Sequence, residues 1–98
     1  MHRRPAFDPA RLASQPPSEA RFVVELARYQ DSQKLTDEGF RKTLGISIWL
    51  WRKVRSGRLA LGYKLLLAGS DFVPVRIYQA AESSIIERMR GRIKGVAA

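Results

Sequence analysis

Residues 35–57 read LTDEGFRKTLGISIWLWRKVRSG, and this stretch predicts two short helices joined by a tight turn. Thr36 is placed to cap a first helix over residues 36–44, because its side-chain oxygen can accept a hydrogen bond from the first turn. Gly45 is a natural residue to end that helix, and Ser47 is placed to cap a second helix over residues 47–56. The spacing is that of a helix-turn-helix, although an ordinary corner between two helices would give it equally well.

The two tryptophans of the second helix are predicted to face opposite ways. At about 100° per residue, Leu50, Trp51 and Val54 fall on one arc, which is the side that packs in a core. Trp49 lies about 160° from Trp51, beside the basic residues that follow it. We therefore expect Trp51 to be buried, and Trp49 to be exposed or covered by a partner. A membrane-surface helix is disfavoured, because the core already claims the apolar side.

Outside this stretch the chain also reads as helical, with no strand-type alternation. An apolar stripe at helical spacing follows a cap at Ser18, and further helices are predicted over residues 60–68 and after Pro74. Residues 1–17 hold four of the five prolines and no apolar periodicity, so they predict a disordered basic arm. We expect a small all-α domain of five helices over residues 18–98.

Charge is strongly biased along the chain, which has 18 Lys and Arg against nine Asp and Glu and a net charge of +9. Between Gly39 and Ser70 there is no acidic residue and there are seven basic ones. They are Arg41, Lys42, Arg52, Lys53, Arg55, Arg58 and Lys64. Such a cluster favours binding to a polyanion through its phosphates, the alternative being a basic surface that is simply solvated.

Catalysis, metal binding and membrane insertion find little support in the residues. There is no cysteine, and the one histidine is His2, in the arm. No Gly-rich phosphate loop and no HExxH pattern is present, so we expect neither an enzyme nor a cofactor or metal. The N-terminus has no apolar signal region, and the longest apolar run, residues 59–69, is too short to span a bilayer. We expect a cytoplasmic, nucleoid-associated protein.

Residues 35–47, followed by Trp51, Val54 and Gly57, resemble the Cro/repressor (XRE-type) helix-turn-helix family. The shared pattern is a Leu-Thr entry, an aromatic residue in the first helix, Leu-Gly-apolar-Ser at the turn, two core residues three apart and a closing glycine. The resemblance extends over about residues 19–72. This chain differs from the family at Gly39, where an alanine or other small residue is usual, at Arg55, where Glu is frequent, and at the apolar readout positions.

The resemblance implies a transcriptional regulator of the phage or plasmid repressor type that binds double-stranded DNA in a sequence-specific manner. Residues 47–56 would be its recognition helix. The base contacts that it implies are Ser47, Ile48, Trp49 and Lys53. Ile48 and Trp49 would contact thymine methyls or wedge against sugars, and Lys53 would reach a guanine or a phosphate. The basic residues interpreted as backbone contacts are Arg41, Lys42, Arg52, Arg55 and Arg58, with Arg3 and Arg4 from the arm.

Partners beyond DNA are left open by the sequence. A homodimer is expected because one recognition helix covers few base pairs, and the last helix offers a stripe for it, namely Ile77, Ala81, Ile85 and Met89. The alternative for this stripe is packing on the domain's own core. Alternative functions are an excisionase-like factor that bends DNA, suggested by the segment VRSGRL, and an antitoxin or protein-interaction module that uses the basic face.

Overall fold

Five helices make up the computed structural model, which describes residues 14–97 and the side chains of residues 14–91. They are α1 Pro17–Ser32, α2 Asp37–Leu44, α3 Ile48–Arg55, α4 Tyr63–Gly69 and α5 Val75–Ala97, with a 3-10 turn at Ser70–Phe72 between the last two. No strand occurs among these residues, so the predicted all-α domain is confirmed. The predicted arm and its Arg3 and Arg4 lie outside the described residues, apart from residues 14–17.

The caps predicted around the central turn are present. The Oγ1 atom of Thr36 accepts a hydrogen bond from the backbone N–H of Gly39 at 3.0 Å, and the Oγ of Ser47 accepts one from Leu50 at 3.0 Å. Gly45 ends α2 with φ +71°, a left-handed conformation that glycine adopts without a steric penalty. These local interactions set the start and end of α2 and the start of α3, so residues 45–47 form the turn that the sequence predicts.

Two other helix starts differ from the prediction. α1 begins at Pro17 rather than after a cap at Ser18, because proline is favoured at the first position of a helix. α4 begins at Tyr63 rather than Ala60, since Gly62 has an extended backbone and caps the helix. A helix running through Gly62 would also cost about 1 kcal/mol relative to alanine.

The core lies where α1 crosses the other four helices, and it is filled mainly by large apolar side chains. The edge of one ring meets the face of the other where Phe40 and Trp51 contact each other, with centroids 5.2 Å apart. The buried apolar residues are Phe22, Val23, Leu26, Ala27, Phe40, Leu44, Ile46, Trp51, Val54, Leu61, Leu65, Leu66, Ala81 and Ile85. Trp51 therefore joins α3 to the centre of the domain.

The last helix packs back on α1 rather than presenting its whole stripe to solvent. Ala81 and Ile85 are buried in the core of this chain, and Ile77 is half-buried against it. Only Met89, which is 49% exposed, remains open to solvent. The expected dimer surface is corrected accordingly: the side chains of Ala81 and Ile85 are already used by the domain's own core. A homodimer through another surface stays a prediction.

A partly buried ion pair fixes α5 to the rest of the domain. The carboxylate of Glu19 on α1 accepts hydrogen bonds from Ser84 at 2.6 Å and from the guanidinium of Arg88 at 2.7 Å. Arg88 also donates to the backbone oxygen of Leu61, at 2.9 Å, in the link that follows α3. One arginine of α5 thus ties the first helix to the segment between α3 and α4.

Candidate nucleic-acid interface

The inner side of α3 is held by a buried amide on α1. Gln30 is fully buried, and its Oε1 accepts hydrogen bonds from the indole Nε1 of Trp51 and from the guanidinium of Arg55, both at 3.1 Å. Because Trp51 and Arg55 are one turn apart, these two bonds fix both the rotation and the axial position of α3. The direction of its outer side is therefore set by polar contacts as well as by apolar packing.

The other end of the same amide fixes α2. The Nε2 group of Gln30 donates to Asp37 at 2.9 Å and to the backbone oxygen of Leu35 at 3.2 Å. The second carboxylate oxygen of Asp37 accepts a hydrogen bond from Nε of Arg52, at 3.3 Å. We call Gln30, Asp37, Trp51, Arg52 and Arg55 the Gln30 network. It joins α1, α2 and α3 into one unit, so the turn presents α3 in a defined orientation.

The two tryptophans face as the spacing predicts. Trp51 has no solvent exposure, whereas Trp49 is 60% exposed. One turn after Trp49, the ammonium of Lys53 lies 5.8 Å from the centre of the indole ring, a distance suited to a cation–π contact. An exposed indole with a cation beside it is therefore the central feature of the outer side of α3.

Three of the four side chains expected at base edges lie at the start of α3, and the fourth, Lys53, lies one turn after Trp49. Trp49 and Lys53 are adjacent, Ile48 is half-buried, and Ser47 is exposed at the cap. The hydroxyl oxygen of Ser47 is already engaged by the backbone of Leu50. Along α3, two apolar side chains thus come first and one cation follows a turn later.

Of the five basic residues expected at the DNA backbone that the structure describes, three are exposed. Lys42, Arg52 and Arg58 are exposed, and Arg52 is oriented by Asp37. Arg41 is half-buried and forms an ion pair with Glu38 one turn before it. The hydrogen bond from Arg41 lowers the pKa of Glu38, and the same bond raises the pKa of Arg41. Arg41 is therefore partly occupied within its own helix.

Arg55 is not available for the backbone contact that the sequence predicts. It is 6% exposed, and its guanidinium donates to Gln30 at 3.1 Å and to Asp31 at 3.5 Å. Position 55 lies one turn after Trp51 and therefore shares its inward side, which is the physical reason for the correction. Arg55 stabilises the packing of α3 on α1 instead of meeting a phosphate.

Gln30 was missed by the sequence analysis although a signal for it exists. Phe22, Leu26 and Gln30 follow one another at intervals of four, so the glutamine continues the apolar side of α1. A polar residue at such a position needs buried partners, because an unpaired buried amide is costly. Its partners, 5 to 25 residues away along the chain, are visible only in three dimensions.

The described residues offer little for other chemistry. They contain no group of three or more His, Asp or Glu side chains that could hold a metal ion. Within the same part of the chain, every helix is too short or too polar to cross a membrane.

Comparison with known proteins gives no relative for this chain. No family model, no curated protein and no solved structure matches it.

Proposed function

We propose that the protein binds double-stranded DNA in a sequence-specific manner and regulates transcription, with α3 as the helix that enters the major groove. The observation that carries the proposal is the orientation of α3. Trp51 and Arg55 anchor its inner side to α1, and its outer side carries an exposed Trp49 beside Lys53. A helix that is held on one side and exposes an aromatic ring and a cation on the other is suited to contact base edges.

The dimensions of α3 support this role. Its eight residues give a length of about 12 Å, and an α-helix with its side chains is about 10–12 Å across, which fits a major groove about 12 Å wide. It follows α2 after a three-residue turn, as the second helix of a helix-turn-helix does. Since so short a helix reads only a few base pairs, we propose that two copies bind together on two half-sites.

The charges around α3 support a polyanionic partner. Lys42, Arg52, Arg58 and Lys64 are exposed, and no acidic residue lies between Gly39 and Ser70. Phosphate contacts from such side chains position a protein on the duplex and supply most of its affinity without reading sequence. In this proposal the basic side chains supply affinity for the duplex, and the indole supplies discrimination between sequences.

The local fold favours a regulator over an excisionase-like factor. The segment VRSGRL would suit a wing hairpin, but the described residues that follow α3 form a turn at Gly57 and then enter α4. No hairpin occurs in this part of the described chain. A protein-interaction or antitoxin role remains an outcome of the test.

Selection of bound sequences from a random duplex pool tests the proposal. We expect enrichment of one short motif, repeated as two half-sites about one helical turn apart. The matched variants are Lys53→Ala on α3 and Arg90→Ala, which removes an exposed cation from α5. Lys53→Ala should weaken binding to the selected site more than to random DNA, whereas Arg90→Ala should affect both alike. A pool that yields no motif would refute sequence-specific binding.

A further inference from the structure

The leading turn of α3 lacks the side chains that most often read base edges. Bidentate recognition uses the amide of Asn or Gln on adenine and the guanidinium of Arg on guanine. Here the first two positions of α3 hold the half-buried Ile48 and the exposed Trp49, neither of which presents a paired donor and acceptor. The indole offers one N–H donor and otherwise a broad apolar surface. Discrimination at this turn must therefore come mainly from apolar contact.

Several of the hydrogen-bonding groups nearest to this turn have partners inside the protein, although the side chain of Arg52 is still 57% exposed. The hydroxyl oxygen of Ser47 accepts the capping bond, and the Nε of Arg52 donates to Asp37. Arg55 is buried against Gln30. Among the described side chains of α3, Trp49 and Lys53 are left as the adjacent pair on the outer side. The ammonium of Lys53 lies 5.8 Å from the centre of the indole ring, so a partner that contacts Trp49 also meets this cation.

In the major groove, the apolar group at a base edge is the C5-methyl of thymine. Thymine presents a methyl at C5, whereas the edges of adenine, guanine and cytosine carry hydrogen-bond donors and acceptors. The cationic surroundings of α3 complement a phosphate backbone on either side of such a contact. Charge and apolar chemistry thus point to the same occupant, which is the methyl-bearing strand of a duplex.

We propose that Trp49, with Ile48, is the specificity-determining contact of this protein and that it recognises the C5-methyl groups of pyrimidines in the major groove. The inference rests on the proposed DNA-binding function. Lys53, held beside the indole, reaches the O6 and N7 acceptors of a neighbouring guanine. The half-site therefore contains at least one thymine whose methyl faces Trp49, next to a G·C pair.

The test uses the full chain and the duplex selected from the random pool. Each thymine is replaced in turn by deoxyuridine, which removes the methyl and leaves every hydrogen-bonding group in place. At the thymine under Trp49, binding should weaken about fourfold, the equivalent of the ~0.8 kcal/mol of one buried methylene-sized group. At that same position, opposite guanine, 5-methylcytosine should bind better than cytosine, because it restores the methyl.

Variants assign the effect to Trp49. In Trp49→Ala the ratio of affinities for the thymine and deoxyuridine duplexes should fall to about one, and Trp49→Phe should keep part of it, since an apolar ring remains. Val75→Ala, which trims a side chain 65% exposed at the start of α5, should leave the ratio unchanged. Because Trp49 is exposed, these variants should keep the melting temperature of the parent protein.

The outcomes separate this inference from the proposed function. If a motif is selected but no deoxyuridine substitution weakens binding, the function stands and methyl recognition is overturned. If the ratio persists in Trp49→Ala, another residue reads the methyl and the assignment to Trp49 is overturned. If the chain selects no motif at all, both the function and the inference are overturned, and Trp49 belongs to a different kind of interface.

Discussion

At the scale of single residues, Trp49 and Trp51 separate folding from recognition within one helix. Both are large and apolar, and they are two positions apart, yet one is fully buried and the other is 60% exposed. The helical period was sufficient to predict this difference, because it depends only on where each residue lies around the axis. The partners of the buried indole were not predictable, since they come from another helix.

The two tryptophans should respond oppositely to truncation. Trp51→Ala removes a ring that contacts Phe40 and a hydrogen bond to Gln30, so it should lower the free energy of unfolding by about 3–5 kcal/mol. Trp49→Ala should change it by less than about 0.5 kcal/mol while weakening binding to a selected duplex. Denaturant unfolding of each variant, beside DNA titration, measures both effects. Unfolding of the domain by Trp49→Ala would contradict the assignment of α3 as the reader.

Gln30 should be the most sensitive polar residue of the domain. Gln30→Leu keeps a similar volume but removes hydrogen bonds to Trp51, Arg55, Asp37 and Leu35. Since each buried group that loses a partner costs about 1–3 kcal/mol, and charged groups cost more, we expect a loss of at least about 3 kcal/mol. Gln79→Leu makes the same change at an exposed position of α5 and is the control. Equal stability of the two variants would mean that the Gln30 network is dispensable.

At the scale of helices, the boundaries that local chemistry sets were the predictable ones. Thr36, Gly45 and Ser47 act on their own neighbours through caps and a left-handed glycine, so the turn before α3 agrees with the sequence. The start of α4 was predicted wrongly, because Gly62 caps that helix and Leu61 enters the core from the link before it. The burial of Arg55 was not predicted, because it depends on contacts with α1. Likewise Glu19 and Arg88, 69 positions apart, pair only in the folded chain.

Two helical glycines should respond in opposite directions to the same substitution. A Cβ added at Gly69, the last residue of α4, would lie 2.9 Å from both terminal carbons of the buried Leu26, so Gly69→Ala should destabilise the domain by about 1–3 kcal/mol. A Cβ at Gly91 meets nothing within 4 Å, and Gly91→Ala should stabilise α5 by up to about 1 kcal/mol. Thermal unfolding measures both. Stabilisation by Gly69→Ala would show that α4 does not approach α1 this closely.

At the scale of the whole molecule, the surface around α3 is basic, and Glu38 neutralises part of that charge. Glu38 holds Arg41 in an ion pair at the edge of the proposed interface. Its lowered pKa means that this pairing is present above the ordinary carboxyl range and is lost as the pH falls through the folded pKa. The pair should therefore be intact at neutral pH and should restrain Arg41 there.

Glu38→Gln should strengthen binding to random duplex DNA, because it frees Arg41 for a phosphate. The slope of log affinity against log salt should steepen by up to about 0.9 per protomer, the value expected for one additional neutralised phosphate. Glu87→Gln makes the same change in net charge at an exposed position of α5 and serves as the control. An equal gain in both variants would mean that net charge alone, and not Arg41, is responsible.

The proposed function of the whole molecule rests only on the residues and their arrangement, since no family model, curated protein or solved structure matches the chain. The turn, the basic cluster and the outer side of α3 were predicted from the sequence. The contacts that hold α3 on α1 were visible only in the structure. Arg55 shows the limit of that inference: a basic residue inside a basic cluster is interpreted from sequence as a phosphate contact until its buried partners are known.

The most direct test of the account is the affinity of the full chain for a random duplex, measured from about 50 to 200 mM salt. If the exposed basic residues around α3 neutralise roughly five to eight phosphates per dimer, the slope of log affinity against log salt should be about −4.5 to −7. Replacing Lys42 and Arg58 by alanine should make that slope shallower, whereas Arg76→Ala on α5 should leave it unchanged. An affinity that does not vary with salt over this range would contradict the proposal that this surface binds DNA.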